Sequence, residues 1–311
     1  MTIKECAEYL KTLDKVHVYT HIHPDGDALG SSYALAAAMK KLGKSVKVVC
    51  LDTLPKYLSR VWEKENEDFE ADFIITSDVA DMSLLGDFGE KKIHLAIDHH
   101  RENRVNAERK LCISEAAATG EIIFDIIKEM GVTPDRYIAE CLYTAISTDT
   151  GCFKFSNTTE KTFKTVSELC KYTPEGNFGY LNTPLFITKS IDKMQFESEI
   201  IANLRFFFEG KVSVAVVTDA LIKKHSLSDN ETGGVEQLGK SPEGVLLSIT
   251  LKERENGYKV SLRSDDSIDS AQICAVFGGG GHKCAAGCFF EDTADHIIEK
   301  LLSYVKEAGI L

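Results

Sequence analysis

The chain has 311 residues, of which 43% are hydrophobic and 27% are charged, a balance typical of a globular protein large enough for two ordinary domains. Its formal net charge is −12, which argues against a protein that tracks along duplex nucleic acid and favours a small phosphorylated ligand. No apolar run reaches the roughly 20 residues that a membrane span requires, and the N-terminal segment is charged and amphipathic. We therefore expect a cytoplasmic protein that does not associate with membranes.

The first half of the chain alternates short apolar segments with helical patterns. A long helix is predicted at 28–43, and the residues from 119 to about 170 are predicted to be largely helical. Strands are predicted at four segments: 16–20, 45–51, 72–78 and 94–98. Strands separated by helices indicate right-handed βαβ units and a mostly parallel sheet.

The second half begins with a break in this pattern. Residues 171–190 contain two prolines and two glycines, and the helical pattern then resumes to about residue 208. Three strand patterns follow (VSVAVVT, GVLLSITLKE and GYKVSLRS), and a helix is predicted at 293–307. The sequence thus predicts an α/β protein in three parts: an N-terminal parallel-sheet domain over 1–185, a linker helix over 186–208, and a smaller C-terminal α/β domain over 209–311.

Acidic and imidazole side chains are concentrated where the predicted strands end. They form four groups: His21, Asp25 and Asp27 in the turn HIHPDGD; Asp78; Asp98, His99 and His100; and Asp149 in STDTG. Taken singly, an Asp at the end of a strand is most often a helix cap or a turn former. Because ligands bind outside the carboxyl ends of parallel strands, we expect the four groups to converge on one site.

Several carboxylates at one place oppose each other's ionisation, and divalent cations remove that penalty. Oxygen and imidazole donors without a thiolate suit Mn²⁺, and less strongly Mg²⁺, Fe²⁺, Co²⁺ or Zn²⁺. Asp25 and Asp27 can each face a different ion, and Asp78 can bridge the two. Two ions about 3.5–4 Å apart would clamp a phosphoryl group and activate a bridging water, so the residues predict a two-metal phosphoesterase site.

Several sequence motifs resemble those of the DHH phosphoesterase superfamily. In chain order they are HIHPDGDALGSS, TSDVAD, IDHH and TAISTDTGCFKFSNTT, and the C-terminal KVSLRS and FGGGGHKCAAG resemble its DHHA1 domain. The resemblance spans nearly the whole chain and implies a DHH catalytic domain over 1–185 and a DHHA1 domain over 209–311. Within the superfamily, the chain is similar to the stand-alone bacterial oligoribonuclease (nanoRNase) and 3′-phosphoadenosine 5′-phosphate phosphatase type.

The resemblance implies a role for each polar group in the first half of the chain. It assigns the ligands of the two ions, usually Mn²⁺, as two overlapping sets: His21, Asp25 and Asp78 for one, and Asp27, Asp78, His99 and Asp149 for the other. His100 would contact the scissile phosphate or donate a proton to it. Asp98 would orient the histidines from behind, as partners of metal ligands commonly do.

The C-terminal glycine run also has a chemical interpretation. Without Cβ atoms, its backbone amides can approach a phosphate or a base closely, although a flexible turn is the plainer explanation of such a run. An arginine on the nearby strand can bind a phosphate bidentately. By resemblance, five residues would hold the end of the nucleotide that lies away from the metals: Arg263, Gly279, Gly280, Gly281 and His282.

The implied reaction is hydrolysis of short oligonucleotides or linear dinucleotides to mononucleotides, in a cleft between the two domains. Further candidate substrates are 3′-phosphoadenosine 5′-phosphate and cyclic di-AMP. We expect no long duplex nucleic acid as a partner, and the resemblance implies a homodimer. Two alternatives stay open: an inorganic pyrophosphatase, since family II pyrophosphatases share the DHH half but carry a different C-terminal domain, and a non-catalytic nucleotide-binding regulator. Every metal position implied by the resemblance is occupied by a suitable residue, which argues against the regulator.

Overall fold

The computed structural model describes residues 1–50, 52, 54, 56–58 and 68–311. The chain divides into two compact units, Met1–Thr188 and Lys189–Leu311. Among the described residues, no helix combines the length and the apolar character needed to cross a membrane. The predicted α/β class is confirmed, because the first unit has a parallel sheet and the second unit combines a mixed sheet with helices.

Five parallel strands form the sheet of the first unit. They are β1 (Val16–Tyr19), β2 (Val46–Val49), β3 (Phe73–Ser77), β4 (Ile93–Asp98) and β5 (Ala107–Cys112). Their order is β2-β1-β3-β4-β5. The first three strands lie within the predicted segments, and β4 begins one residue before its segment. Residue 51 of the second segment lies outside the described residues. The edge strand β5 was not predicted, because Leu111 is its single buried residue and it lacks the apolar run of a central parallel strand.

Helices cover the sheet of the first unit and pack against one another. They are α1 (Ile3–Thr12), α2 (Gly26–Lys41), α3 (Thr119–Glu129), α4 (Arg136–Asp149), α5 (Glu160–Cys170) and α6 (Gly179–Asn182). The close approach of α2 and α4 depends on Gly30, since a Cβ there would lie 2.4 Å from the carbonyl oxygen of Cys141. Likewise, a Cβ on Gly120 would lie 2.6 Å from the Cβ of Ala145, so a glycine is needed where α3 meets α4.

The parallel sheet places three chemically important segments at one edge. β1 pairs with β3 from Val16↔Phe73 to Tyr19↔Thr76, and β3 pairs with β4 up to Ser77↔Ile97. The three neighbouring strands therefore end at the same level, and the chain continues from each of them directly into one of the predicted polar groups. The close packing of α2, α3 and α4 brings further polar residues to this edge.

The second unit is built on a six-stranded mixed sheet. Its strands are β6 (Arg205–Phe207), β7 (Val212–Val217), β8 (Leu247–Arg254), β9 (Gly257–Ser264), β10 (Gly280–His282) and β11 (Ala285–Phe290). Its helices are α7 (Ile191–Ala202), α8 (Asp219–Lys224), α9 (Val235–Leu238), α10 (Ser270–Val276) and α11 (Ala294–Glu307). The strand order is β10-β11-β9-β8-β7-β6, and β7 and β8 pair in parallel while the other neighbours are antiparallel.

The helix expected over 186–208 is shorter in the structure. Its first two residues end a π-helical turn (Thr183–Ile187), the α-helix covers Ile191–Ala202, and the chain then continues as β6, which pairs antiparallel with β7. Phe207 packs against the core of the second unit, while Phe206 is exposed. Consecutive aromatic side chains fit the alternating faces of a strand better than a helix, which explains where the helical pattern fails.

Candidate metal centre

The polar groups at the strand ends converge in the first unit, as the sequence led us to expect. Three overlapping groups have potential ligand atoms within 4.8 Å of one another: His21, Asp25 and Asp78; Asp27, His99 and Asp149; and Asp78, His99 and His100. Asp25 and Asp27 lie at the start of α2, Asp78 follows β3, and Asp149 is the last residue of α4. The side chains that sequence reasoning grouped from distant positions therefore surround one place.

Asp78 lies at the centre of this arrangement, with each carboxylate oxygen facing a different histidine. Its Oδ2 is 3.9 Å from Nε2 of His21, and its Oδ1 is 3.7 Å from Nε2 of His99. The backbone of Asp78 has a φ of 60°, in the left-handed region, and its N–H donates to the carbonyl of Ile97 at 3.0 Å. A non-glycine residue in this region costs about 1–3 kcal/mol and persists where the surrounding structure holds it, often at functional sites.

Backbone hydrogen bonds fix the orientation of two of the histidine rings. Nδ1 of His99 bonds to the carbonyl of Ala116 at 3.2 Å, and Nδ1 of His21 bonds to the carbonyl of Ile22 at 2.7 Å. A carbonyl can only accept, so the proton of each neutral ring lies on Nδ1 and the lone pair lies on Nε2. Nε2 of His99 lies 3.5–3.8 Å from oxygens of three carboxylates, those of Asp27, Asp78 and Asp149.

The N-terminus of α3 holds two of the aspartates, a feature that sequence reasoning missed. The backbone N–H groups of Thr119 and Gly120 donate to Oδ2 and Oδ1 of Asp27 at 2.7 and 2.9 Å. The hydroxyl of Thr119 donates to Oδ1 of Asp78 at 3.0 Å. Backbone donors and the dipole at a helix N-terminus stabilise carboxylates placed there. A predicted helix starting near residue 119 was the only signal in the sequence, and it did not indicate what the helix would contact.

The electrostatics of the cluster are unfavourable without a cation. Burial raises the pKa of Asp27 well above its usual range, and the charges of Asp78 and Asp149 raise it further. Burial and the charge of Asp25 raise the pKa of Asp78, and burial raises the pKa of Asp149 to about 7. No Lys or Arg in the described part of the chain forms an ion pair with these aspartates. Carboxylate and imidazole donors in this environment fit divalent cations such as Mn²⁺.

Asp98 and His100 form a hydrogen-bonded pair at the cluster, to which His100 also belongs, since its Nδ1 lies 3.8 Å from Oδ1 of Asp78. Nδ1 of His100 lies 2.7 Å from Oδ1 of the fully buried Asp98, whose Oδ2 accepts from the Asn103 amide at 2.7 Å. Burial opposes the charge on His100, but the hydrogen bond and charge of Asp98 outweigh it and raise the pKa of His100 to about 9. Asn103, which also donates to the carbonyl of Val79 at 2.8 Å, was not identified from the sequence.

The predicted substrate-binding residues of the second unit lie on neighbouring strands. Arg263 on β9 pairs with Ala285 on β11, which in turn pairs with His282 on β10. Directly paired residues share a face of the sheet, so the α-carbons of Arg263 and His282 are about 10 Å apart on one face. Arg263 forms no ion pair with any described residue, and burial lowers the pKa of its guanidinium. An arginine in this setting is suited to binding an anion.

The glycines of the second unit do not all serve the same purpose. A Cβ on Gly279 would lie 2.2 Å from the carbonyl oxygen of Gly287, and a Cβ on Gly281 would lie 2.6 Å from that of Ala285. Both positions therefore require glycine for close packing of β10 on β11, apart from any ligand. A Cβ on Gly280 would meet no atom within 4 Å, so its exposed backbone is the part of the run that a ligand could approach.

Two family models match the chain. The model of the N-terminal domain of the DHH family matches residues 15–146, and the DHHA1 domain model matches residues 209–308. The chain belongs to the DHH family of phosphoesterases. These phosphoesterases are metal-dependent hydrolases, so this DHH protein is an enzyme, and the family predicted from the motifs is confirmed.

Curated relatives align with this DHH protein along almost its whole length. A protein of Thermus thermophilus is 29% identical over 97% of this chain and 92% of its own, and one of Bacillus subtilis is 27% identical over 97% and 99%. Each is named a bifunctional oligoribonuclease and PAP phosphatase NrnA.

Solved structures share the fold. An exopolyphosphatase-related protein from Bacteroides fragilis matches with a TM-score of 0.86 and 23% identity, covering 98% of this chain and 96% of its own. Exonuclease RecJ bound to manganese matches with a TM-score of 0.59 and 14% identity, covering 99% and 94%. At these identities, the two structures show that this DHH protein has the same fold as they have.

Proposed function

We propose that this DHH protein is a two-metal phosphodiesterase that hydrolyses short oligonucleotides and linear dinucleotides to mononucleotides. The observation that carries the proposal is the placement of Asp78, whose two oxygens face two different groups of histidine and aspartate side chains. The names of the Thermus and Bacillus relatives support the substrate class, since both include oligoribonuclease and PAP phosphatase. We include 3′-phosphoadenosine 5′-phosphate and cyclic di-AMP as further substrates to be tested.

The two ions would be held by overlapping ligand sets. These are His21, Asp25 and Asp78 for one ion, and Asp27, Asp78, His99 and Asp149 for the other. We favour Mn²⁺ because carboxylates and imidazoles without a thiolate match its preferences. When bound, two such ions would neutralise the phosphate oxygens and lower the pKa of the attacking water.

His100 would act on the substrate directly. Its hydrogen bond to Asp98 fixes the ring and, against the opposing effect of burial, raises the pKa of His100, which favours the protonated form. A protonated His100 can donate from Nε2 to a phosphate oxygen or to the leaving oxygen. Asn103 would act through Asp98, by holding the carboxylate in the orientation that the ring requires.

The second unit would hold one end of the nucleotide. Arg263 would pair with a phosphate, His282 would contact it from the same face of the sheet, and the exposed amide of Gly280 would approach it closely. Gly279 and Gly281 would contribute by allowing β10 to lie where it does. The proposal also includes a cytoplasmic protein that forms a homodimer, which light scattering after size-exclusion chromatography would test.

A Mn²⁺-dependent hydrolysis panel tests the proposal. The substrates are pApA, cyclic di-AMP, a five-nucleotide RNA, 3′-phosphoadenosine 5′-phosphate and pyrophosphate, each with wild type, Asp78→Asn and Asp81→Asn. Asp81 is the matched control, because its carboxylate caps a short helix by accepting from the N–H of Ser83. We expect mononucleotides from pApA or the RNA with wild type and Asp81→Asn, and none with Asp78→Asn. Activity on pyrophosphate alone would make the protein a pyrophosphatase, and inertness with metal bound would favour a regulator.

A further inference from the structure

The loop that follows Asp149 has an unusual backbone. Gly151, Cys152 and Phe153 have φ values of 56°, 57° and 64°, so three successive residues lie in the left-handed region. Two of them carry side chains, and non-glycine residues keep this conformation only where the surrounding structure enforces it. Such strained segments are concentrated at ligand-binding and catalytic sites. The conformation of this loop therefore indicates that it contributes to a functional site.

Asn157 ties this loop to the metal centre. Its amide donates to the carbonyls of Asp149 at 3.1 Å and Ala117 at 3.0 Å. Asp149 belongs to the cluster itself, and Ala117 follows Ala116, whose carbonyl orients His99. The loop is thus fixed on both sides to segments that carry potential metal ligands.

Phe155 is the aromatic side chain that this loop exposes. Phe155 is 42% exposed as a residue. A Cβ on Gly151 would lie 2.3–2.6 Å from the outer carbon atoms of its ring, so the ring lies directly against the backbone of Gly151. The α-carbons of Gly151 and Asp149 are two residues apart, hence at most about 7.6 Å. Phe155 stacks on no other ring among the described residues, whereas Phe153 and Phe163 have ring centroids 5.8 Å apart.

The residue before Phe155 is a lysine without an ionic partner among the described residues. Lys154 is exposed and forms no ion pair within the described part of the chain. Its neighbours in sequence differ, because Lys161 pairs with Asp125 at 2.8 Å and Lys164 pairs with Glu160 at 2.7 Å. In a chain with a net charge of −12, an unpaired lysine next in sequence to an exposed aromatic residue suits a ligand that carries both a phosphate and a base.

We propose that Phe155 and Lys154 form a nucleotide subsite beside the metal centre, in which a base stacks on Phe155 and a phosphate contacts Lys154. The inference rests on the proposed function and adds what the first unit recognises in the substrate. Stacking tolerates any base, because every base has a π face. The subsite would therefore favour nucleotides over base-free phosphoesters without selecting a sequence.

Kinetics of the full chain with Mn²⁺ test the subsite, with pApA as substrate and with AMP and ribose 5-phosphate as competitive inhibitors. The variants are Phe155→Ala, Phe155→Trp and Phe163→Ala. Phe163 is the matched control, since it is a 57% exposed phenylalanine of the same unit. We expect Phe155→Ala to raise the KM for pApA and the KI for AMP by about 5- to 150-fold, the range that one stacked base contributes. The KI for ribose 5-phosphate and the kcat should stay near wild type, Phe155→Trp should restore affinity, and Phe163→Ala should match wild type.

A charge substitution and a binding measurement complete the test. Lys154→Gln should weaken the binding of both AMP and ribose 5-phosphate. This loss of affinity should be smaller at high salt, because the contact is exposed. The stacking would be overturned if Phe155→Ala lost equal affinity for AMP and for ribose 5-phosphate. It would also be overturned if Phe163→Ala lost as much affinity as Phe155→Ala. If wild type does not hydrolyse pApA, the proposed function fails. The subsite is then still tested by comparing the AMP affinities of wild type and Phe155→Ala, measured by calorimetry. If wild type hydrolyses pApA and Phe155→Ala keeps the wild-type KM for pApA and KI for AMP, the subsite is rejected while the proposed function stands.

Discussion

Replacing Thr119 with valine removes a single hydrogen bond from the candidate metal centre. Thr119 is fully buried, and its hydroxyl donates to Oδ1 of Asp78 at 3.0 Å. Valine has nearly the same shape, and the backbone N–H groups of Thr119 and Gly120 that donate to Asp27 remain. The variant thus isolates the contribution of one buried donor to the carboxylate that both proposed ligand sets share.

The expected size of the effect follows from the charge of the acceptor. A hydrogen bond to a charged group contributes about 1.5–3 kcal/mol, and losing a partner of a metal ligand typically weakens metal binding by about 10- to 100-fold. Oδ1 of Asp78 lies 3.7 Å from Nε2 of His99, whereas Oδ2 lies 3.9 Å from Nε2 of His21. The loss should therefore fall mainly on the ion held with His99.

Titration calorimetry of Mn²⁺ into chelator-treated protein measures this directly. We expect two binding events in wild type and a selective loss of affinity for one of them in Thr119→Val. Thr119→Ser keeps the hydroxyl and is the control, so it should bind both ions with nearly wild-type affinity. Wild-type binding of both ions by Thr119→Val would refute the reasoning, as would an equal loss in Thr119→Ser, which would point to packing instead.

Three further predictions concern stability. Gly30→Ala places a Cβ 2.4 Å from the carbonyl oxygen of Cys141. Overpacking of this kind should lower the free energy of unfolding by about 1–3 kcal/mol, measured by denaturant titration. Gly233→Ala is the control and should not lower it, because a Cβ on Gly233 meets no atom within 4 Å. Hydrogen bonding to Lys300 is the main cause that lowers the pKa of Asp292 from 3.8 to about 2, so the stabilisation that Asp292 provides is complete above pH 3.8 and is lost as the pH falls through 2. Urea midpoints should then decline less between pH 4 and 2 in Asp292→Asn than in wild type. Chelation should abolish hydrolysis and lower the Tm. Mn²⁺ at 100 times its Kd should restore about 2.7 kcal/mol of unfolding free energy for each ion bound, and a Tm that does not respond to metal would contradict the proposed centre.

Much of the site was predictable because a parallel sheet imposes a simple rule on its sequence. The apolar segments ending at Tyr19, Ser77 and Asp98 are strands, and each leads into histidines or aspartates at the carboxyl edge. Since that edge is common to all the strands, residues as distant as His21 and His99 had to approach each other. Periodicity and composition were enough for this inference, and the motifs added the family.

The tertiary structure alone decided which groups hold the aspartates in place. Thr119 lies 92 residues from Asp27 in the sequence, and nothing in its local pattern indicates that it donates to that carboxylate. Likewise, the glycine run gave no sign that Gly279 and Gly281 serve strand packing while Gly280 stays open. Local sequence patterns report which face of an element is buried, but not which distant element covers it. Hydrogen bonds and close contacts of that kind depend on how α3 packs in the first unit and how β10 packs on β11 in the second, and only the folded chain specifies them.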